Sequence, residues 1–116
     1  MKMKVSYNLN NKRFALIDNS DNGEVDASTI FEYQQNENIV TAKYYGGTVK
    51  YGKIIAVLKE DQLDMLYQCV TVEDELKAGK AIANITTTSS GKIKLSLNWQ
   101  WLTEKGDNGT SEYVEI

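Results

Sequence analysis

Alternation of apolar and polar residues is clearest between Gly91 and Thr103, where Ile93, Leu95, Leu97, Trp99 and Trp101 are separated by Lys94, Ser96, Asn98 and Gln100. Five apolar residues in period two place one face of a strand in a core and the other in water, whereas a helix would scatter them around its circumference. Shorter pieces of the chain read the same way. Residues 12–17 put Phe14 and Leu16 on one face, and 28–35 do so with Phe31 and Tyr33. Asn36-Glu37-Asn38 reads as a hairpin turn into a strand over 39–45, and Gly46-Gly47 as a second turn where positive φ costs little. Residues 48–59 carry Val49, Tyr51, Ile55 and Val57 in phase, interrupted by Lys53. Residues 62–72 align Leu63, Met65, Tyr67 and Cys69, and strands over 76–88 and 109–115 complete a count of eight, or nine if 5–9 also pairs. Leu63, Leu66, Tyr67 and Val70 also fit helical spacing, and Thr71-Val72-Glu73-Asp74 fits a helix cap, so a helix is the alternative over 60–80.

Eight consecutive strands joined by short turns need no crossover helix. They predict an all-β fold, a single antiparallel up-and-down β-barrel that closes on itself and so exposes no sheet edge. The 116 residues, 41% hydrophobic and 25% charged, match one domain spanning 1–116. No repeat, linker or low-complexity tract interrupts it, and without proline every backbone N–H is available to a ladder.

Composition narrows the chemistry. With no histidine and one cysteine, Cys69, the chain has no Ser-His-Asp or Cys-His arrangement, no histidine metal site and no internal disulfide. No cofactor or metal is expected. A net charge of −3 argues against nucleic acid or an acidic membrane surface as partner. Residues 1–7 contain no apolar run suited to a signal peptide or membrane span, so the cytoplasm is the expected compartment.

Candidate ligand-binding residues follow from the strand phases. Trp99 and Trp101 point inward at one end of a long strand, where aromatic rings either bind a flat or apolar ligand or plug a narrow barrel. Phe31, Tyr33, Met65 and Tyr67 would line the same interior, the tyrosines offering hydroxyls to a ligand, to one another or to backbone. Arg13 is the single arginine beside twelve lysines. It is a candidate for an anionic group or for stacking on an indole, with a solvated strand position as the plain alternative. Glu32, Asp64 and Glu112 occupy the wet phase and read as surface charge rather than an acid–base pair. Cys69 reads as a small core residue.

Asp21-Asn22-Gly23-Glu24-Val25, Ser28 to Tyr33, Tyr44-Tyr45-Gly46-Gly47, Asp64 to Gln68, Gly91 to Leu95 and Trp99-Gln100-Trp101 occur in that order. This series resembles a family of small bacterial proteins of about this length that carry the label "N-acetylglutamate synthase", and the resemblance runs from Lys12 to Glu115. It implies a lipocalin-like or avidin-like (calycin-type) barrel. Asn98 stands where the family has an acidic residue and Gln68 where it has a histidine, so no polar role is carried over there. The label implies acetyl transfer, which commonly uses a glycine-rich turn at a helix N-terminus to hold pyrophosphate. Gly46-Gly47 lies between strands, and Gly106 to Thr110 leads into a strand without a following lysine, so the residues do not match that activity.

The expected function is therefore non-enzymatic binding of a small apolar or aromatic molecule inside the barrel. The alternative is a filled barrel acting as a protein-interaction module or homodimer through apolar residues assigned to the wet phase, namely Val40, Ile54, Leu58, Leu66, Val70 and Leu102.

Overall fold

The computed structural model describes residues 7–19, 26–103 and 108–116. The Asp21-Asn22-Gly23-Glu24-Val25 motif, the Gly106-Asp107 step and the start of the candidate strand over 5–9 lie outside them. Eight strands follow in chain order: β1 Lys12–Asn19, β2 Ile30–Asn36, β3 Ile39–Gly46, β4 Val49–Lys59, β5 Gln62–Thr71, β6 Leu76–Thr87, β7 Ile93–Trp101 and β8 Asn108–Glu115. Each pairs antiparallel with its chain neighbours, and β8 returns to β1 with Phe14 opposite Glu115 and Leu16 opposite Tyr113. The closed up-and-down barrel expected from the alternation is the observed fold. Closure pairs the outer edges of the first and last strands, the groups that a flat sheet would leave open to other chains.

The turns have the expected chemistry. Gly46 and Gly47 take φ of 112° and 64°, and a Cβ on Gly46 would lie 2.3 Å from the Ser28 carbonyl oxygen, so only glycine fits that corner. Glu37 and Glu60 adopt left-handed φ in the two-residue connections β2–β3 and β4–β5. The segment over 60–80 is strand, turn and strand. Leu63, Met65 and Cys69 are buried while Leu66 is 62% exposed, because β5 sits between two partners and every second residue must face the wall's interior.

Strand β4 departs from the sequence reading. Its pairing with β5 shifts register between Val49 and Tyr51, an extra residue that reverses the side on which the following side chains emerge. Gly52, Ile54 and Ala56 face inward, whereas Tyr51, Ile55 and Val57 are exposed. Of the apolar residues assigned to the wet phase, Val40, Ile54 and Leu58 are corrected, while Leu66 and Leu102 are exposed as expected. Val40 and Ile54 are buried at 0% and 3% exposure, and Leu58 packs partly buried against the core. Val70 is half-buried, Leu66 is exposed on the outer wall, and Leu102 is exposed just past β7.

Inside, large and small residues alternate around the wall. One ladder of inward positions runs Tyr33, Ala42, Ile54, Tyr67, Gly79, Trp101. The next runs Val40, Ala56, Met65, Ala81, Trp99, Gly109. Each ring in these ladders has an alanine or glycine as a register neighbour, an arrangement by which an eight-stranded barrel fills its narrow interior. At one end residues 7–11, ahead of β1, pack against the core, with Tyr7 and Leu9 both hydrogen-bonded to Gln35. Leu9 is fully buried there, and its N–H donates to the Gln35 side-chain oxygen at 2.9 Å.

Candidate functional site

The interior aromatic residues form two connected groups. Phe31 stacks on Tyr44 with ring centroids 4.8 Å apart and meets Tyr113 edge-on at 4.8 Å, and Phe14 meets Tyr33 edge-on at 5.2 Å. Trp99 and Trp101 meet edge-on at 6.0 Å, and Tyr67 meets Trp101 at 5.6 Å. Such contacts contribute about 0.5–1.5 kcal/mol each beyond the burial of area. Two glycines make the geometry possible, because a Cβ on Gly52 would lie 2.3 Å from the ring of Tyr44 and one on Gly79 would lie 2.4 Å from that of Tyr67.

Polar atoms enter this aromatic lining at few points. The Trp99 indole Nε1–H donates to Ser111 Oγ at 2.7 Å, and the Ser111 hydroxyl in turn hydrogen-bonds Tyr113. The Tyr44 hydroxyl donates to the Gln68 carbonyl at 3.3 Å and contacts the Cys69 thiol. Burial raises the pKa of all four interior phenols. Tyr113 is pushed up to about 12 despite the Ser111 bond, and Tyr33, Tyr44 and Tyr67 are held further above the ordinary phenol range. Tyr113, on β8, adds to the upward shift of Tyr33, Tyr44 and Tyr67, which arise from β2, β3 and β5.

Of the residues singled out from sequence, Phe31, Tyr33, Met65, Trp99 and Trp101 are buried inward, at 3–6% exposure. Tyr67 is inward and half-buried, and the Lys77 ammonium lies 5.4 Å from the centre of the Trp101 ring beside it. Tyr67 and Trp101 thus mark the mouth opposite the Leu9 end. Arg13 is not part of this set. It is exposed on the outer face, opposite Glu32 in the β1–β2 ladder and close to the Tyr45 hydroxyl, which donates to Glu32 at 2.7 Å. The wet-phase carboxylates stay apart on the outside: Asp64 pairs with Lys59 at 3.0 Å and Glu112 with Lys94 at 3.3 Å. Among the described residues no group of three His, Cys, Asp or Glu side chains is placed to hold a metal.

Sequence reasoning missed Tyr44 and Ser111 as interior residues, and it placed Tyr113 on the dry phase of its strand, where it is buried, without counting it in the candidate site. Tyr44 continues the two-residue phase of Val40 and Ala42, a signal present in the chain but hidden by the adjacent Tyr45. Ser111 shares the inward face of Tyr113, two residues before it on a short, mainly polar strand, but a serine carries no apolar signal of its own.

No curated protein and no solved structure matches this chain. The family model of avidin-like proteins matches residues 7–116, in accord with the eight-stranded up-and-down barrel and its aromatic interior, and the chain belongs to that family of small-ligand binders.

Proposed function

We propose that the protein binds a small, largely apolar or aromatic molecule at the mouth marked by Tyr67 and Trp101, with the buried phenols supplying its polar contacts. The observation that carries this reading is the inward placement of four phenols, Tyr33, Tyr44, Tyr67 and Tyr113, in the same aromatic interior as the Trp99 and Trp101 indoles. Apolar walls with a few placed hydroxyls suit a flat ligand bearing one or two hydrogen-bonding groups. The aromatic rings touch one another in this state, so entry requires a side chain to give way. Tyr67 is the one ring of the six candidates' set that is only half-buried, and its outward swing opens the space above Gly79. Binding is non-covalent, and no side-chain constellation for bond cleavage or group transfer enters the reading.

Native mass spectrometry of freshly purified protein tests it, because a co-purified molecule adds mass that denaturation removes. The expected result is such an adduct, or quenching of Trp99 and Trp101 fluorescence by a panel of planar heterocycles, weakened about tenfold or more in Trp101→Ala. The absence of both an adduct and quenching at millimolar heterocycle overturns it.

A further inference from the structure

Charged side chains are rare on the inward phase of the strands. At the Leu9 end that phase carries Lys12, opposite Tyr33, and Glu115, opposite Phe14, and the two pair with each other at 3.1 Å. At the mouth it carries Lys77. In the β5–β6 ladder Lys77 lies opposite the buried Cys69 and two residues before the buried Gly79, so period two turns its stem to the inner side of the wall. The same row of the ladder continues from Cys69 through Gly52 and Tyr44 to Phe31. Lys77 is half-buried, with its ammonium 5.4 Å from the centre of the Trp101 ring. Among the described residues it is the one charged side chain that an inward strand position presents at the mouth.

The polar groups around it are engaged in holding the rim. Thr29 Oγ1 donates to the Gly46 carbonyl at 3.0 Å and accepts the Asp26 N–H at 3.1 Å, and Thr71 Oγ1 accepts the N–H groups of Glu73 and Glu75 at 3.3 and 3.1 Å. Asp74 pairs with Lys50, and Glu73 and Glu75 are exposed in the β5–β6 turn. An ammonium carries three N–H donors on a flexible stem, so Lys77 can serve an acceptor arriving from the mouth as well as the indole face and a protein neighbour. A flat ring in the space above Gly79, between Tyr67 and Trp101, brings a substituent on its edge to that ammonium. Partial exclusion of water there strengthens an ion pair relative to the open surface.

We propose that the molecule bound at the mouth is a planar aromatic carboxylate, its ring against Tyr67 and Trp101 and its carboxylate accepting hydrogen bonds from the Lys77 ammonium. This rests on the reading of the mouth as a ligand site and adds the charge of the ligand to it. Naphthalene-2-carboxylate and naphthalene-2-carboxamide share ring and shape but differ in charge, and isothermal titration calorimetry at neutral pH compares them. The native chain is expected to bind the carboxylate about tenfold or more tightly than the amide, the advantage of a charged hydrogen bond. Lys77→Met, which keeps most of the stem, is expected to bring the ratio of the two affinities to about one, and Lys77→Arg to restore the preference. Equal affinities in the native chain overturn the proposal and leave the mouth reading intact, as does a preference that persists in Lys77→Met with native circular dichroism. No binding of either compound also overturns it, and the mouth reading is then decided separately by the co-purified adduct and the heterocycle panel.

Discussion

Gly79 sits directly beneath the ring of Tyr67: a Cβ placed there would approach the ring and its hydroxyl to 2.4 Å and the Gln100 carbonyl to 2.7 Å. The pair is opposite in the β5–β6 ladder, so the ring leans across the strand gap into the space that the missing side chain leaves. Gly52 and Tyr44 repeat the relationship on β3 and β4.

Substituting these glycines separates the two rings. Gly52→Ala drives the Cβ into Tyr44, whose ring is held by Phe31, and overpacking of that kind costs about 1–3 kcal/mol. Gly79→Ala displaces the half-buried Tyr67 ring and strains the backbone at Gln100. Its stability loss is expected in the same range, with an added change in Trp101 fluorescence because the Tyr67–Trp101 contact breaks. Urea denaturation read by both circular dichroism and fluorescence measures the two effects.

The indole bond is a second target. Ser111→Ala leaves the buried Trp99 N–H without its acceptor, and an unmade bond of this kind costs about 1–3 kcal/mol. The loss appears as a lower denaturation midpoint with an unchanged m-value.

Alkaline pH is expected to unfold the barrel cooperatively. The fold raises the pKa of Tyr33, Tyr44, Tyr67 and Tyr113 above the unfolded value of about 10, so it favours their neutral forms. Stability from this source is fully present below pH 10 and declines as pH rises toward and through about 12, the Tyr113 value. Tyrosinate absorbance from these four rings should therefore appear together with the loss of β-sheet circular dichroism. Titration of all four near pH 10 in a still-folded protein would contradict their burial.

Leu9 anchors the closed end. Leu9→Ala removes a fully buried side chain and is expected to cost about 2–5 kcal/mol, a core value for a residue outside every strand. Arg13→Ala, on the solvated outer face, is expected within about 0.5 kcal/mol of the native chain. Thermal and urea denaturation of the pair checks the contrast.

What the sequence determined by itself was the succession of eight strands, their short turns and the inward placement of Phe31, Tyr33, Met65, Tyr67, Trp99 and Trp101. Phe31, Tyr33, Trp99 and Trp101 lie on strands where one phase is predominantly apolar, and on β5 the longer apolar series Leu63, Met65, Tyr67 and Cys69 outweighs Leu66 and Val70, so period two favours one orientation. Strand β4 has aliphatic residues in both phases, so its alternation was ambiguous, and the register shift after Val49 settled it in favour of Gly52, Ile54 and Ala56. Only closure of the barrel brought four phenols from four strands together, and only the β4–β5–β6 register assembled Ile55, Leu66 and Ile82 into one exposed surface. Alternation is local and survives in the linear chain. Which strand lies beside which, and in what register, depends on contacts between residues tens of positions apart, and these decide where side chains of different strands meet.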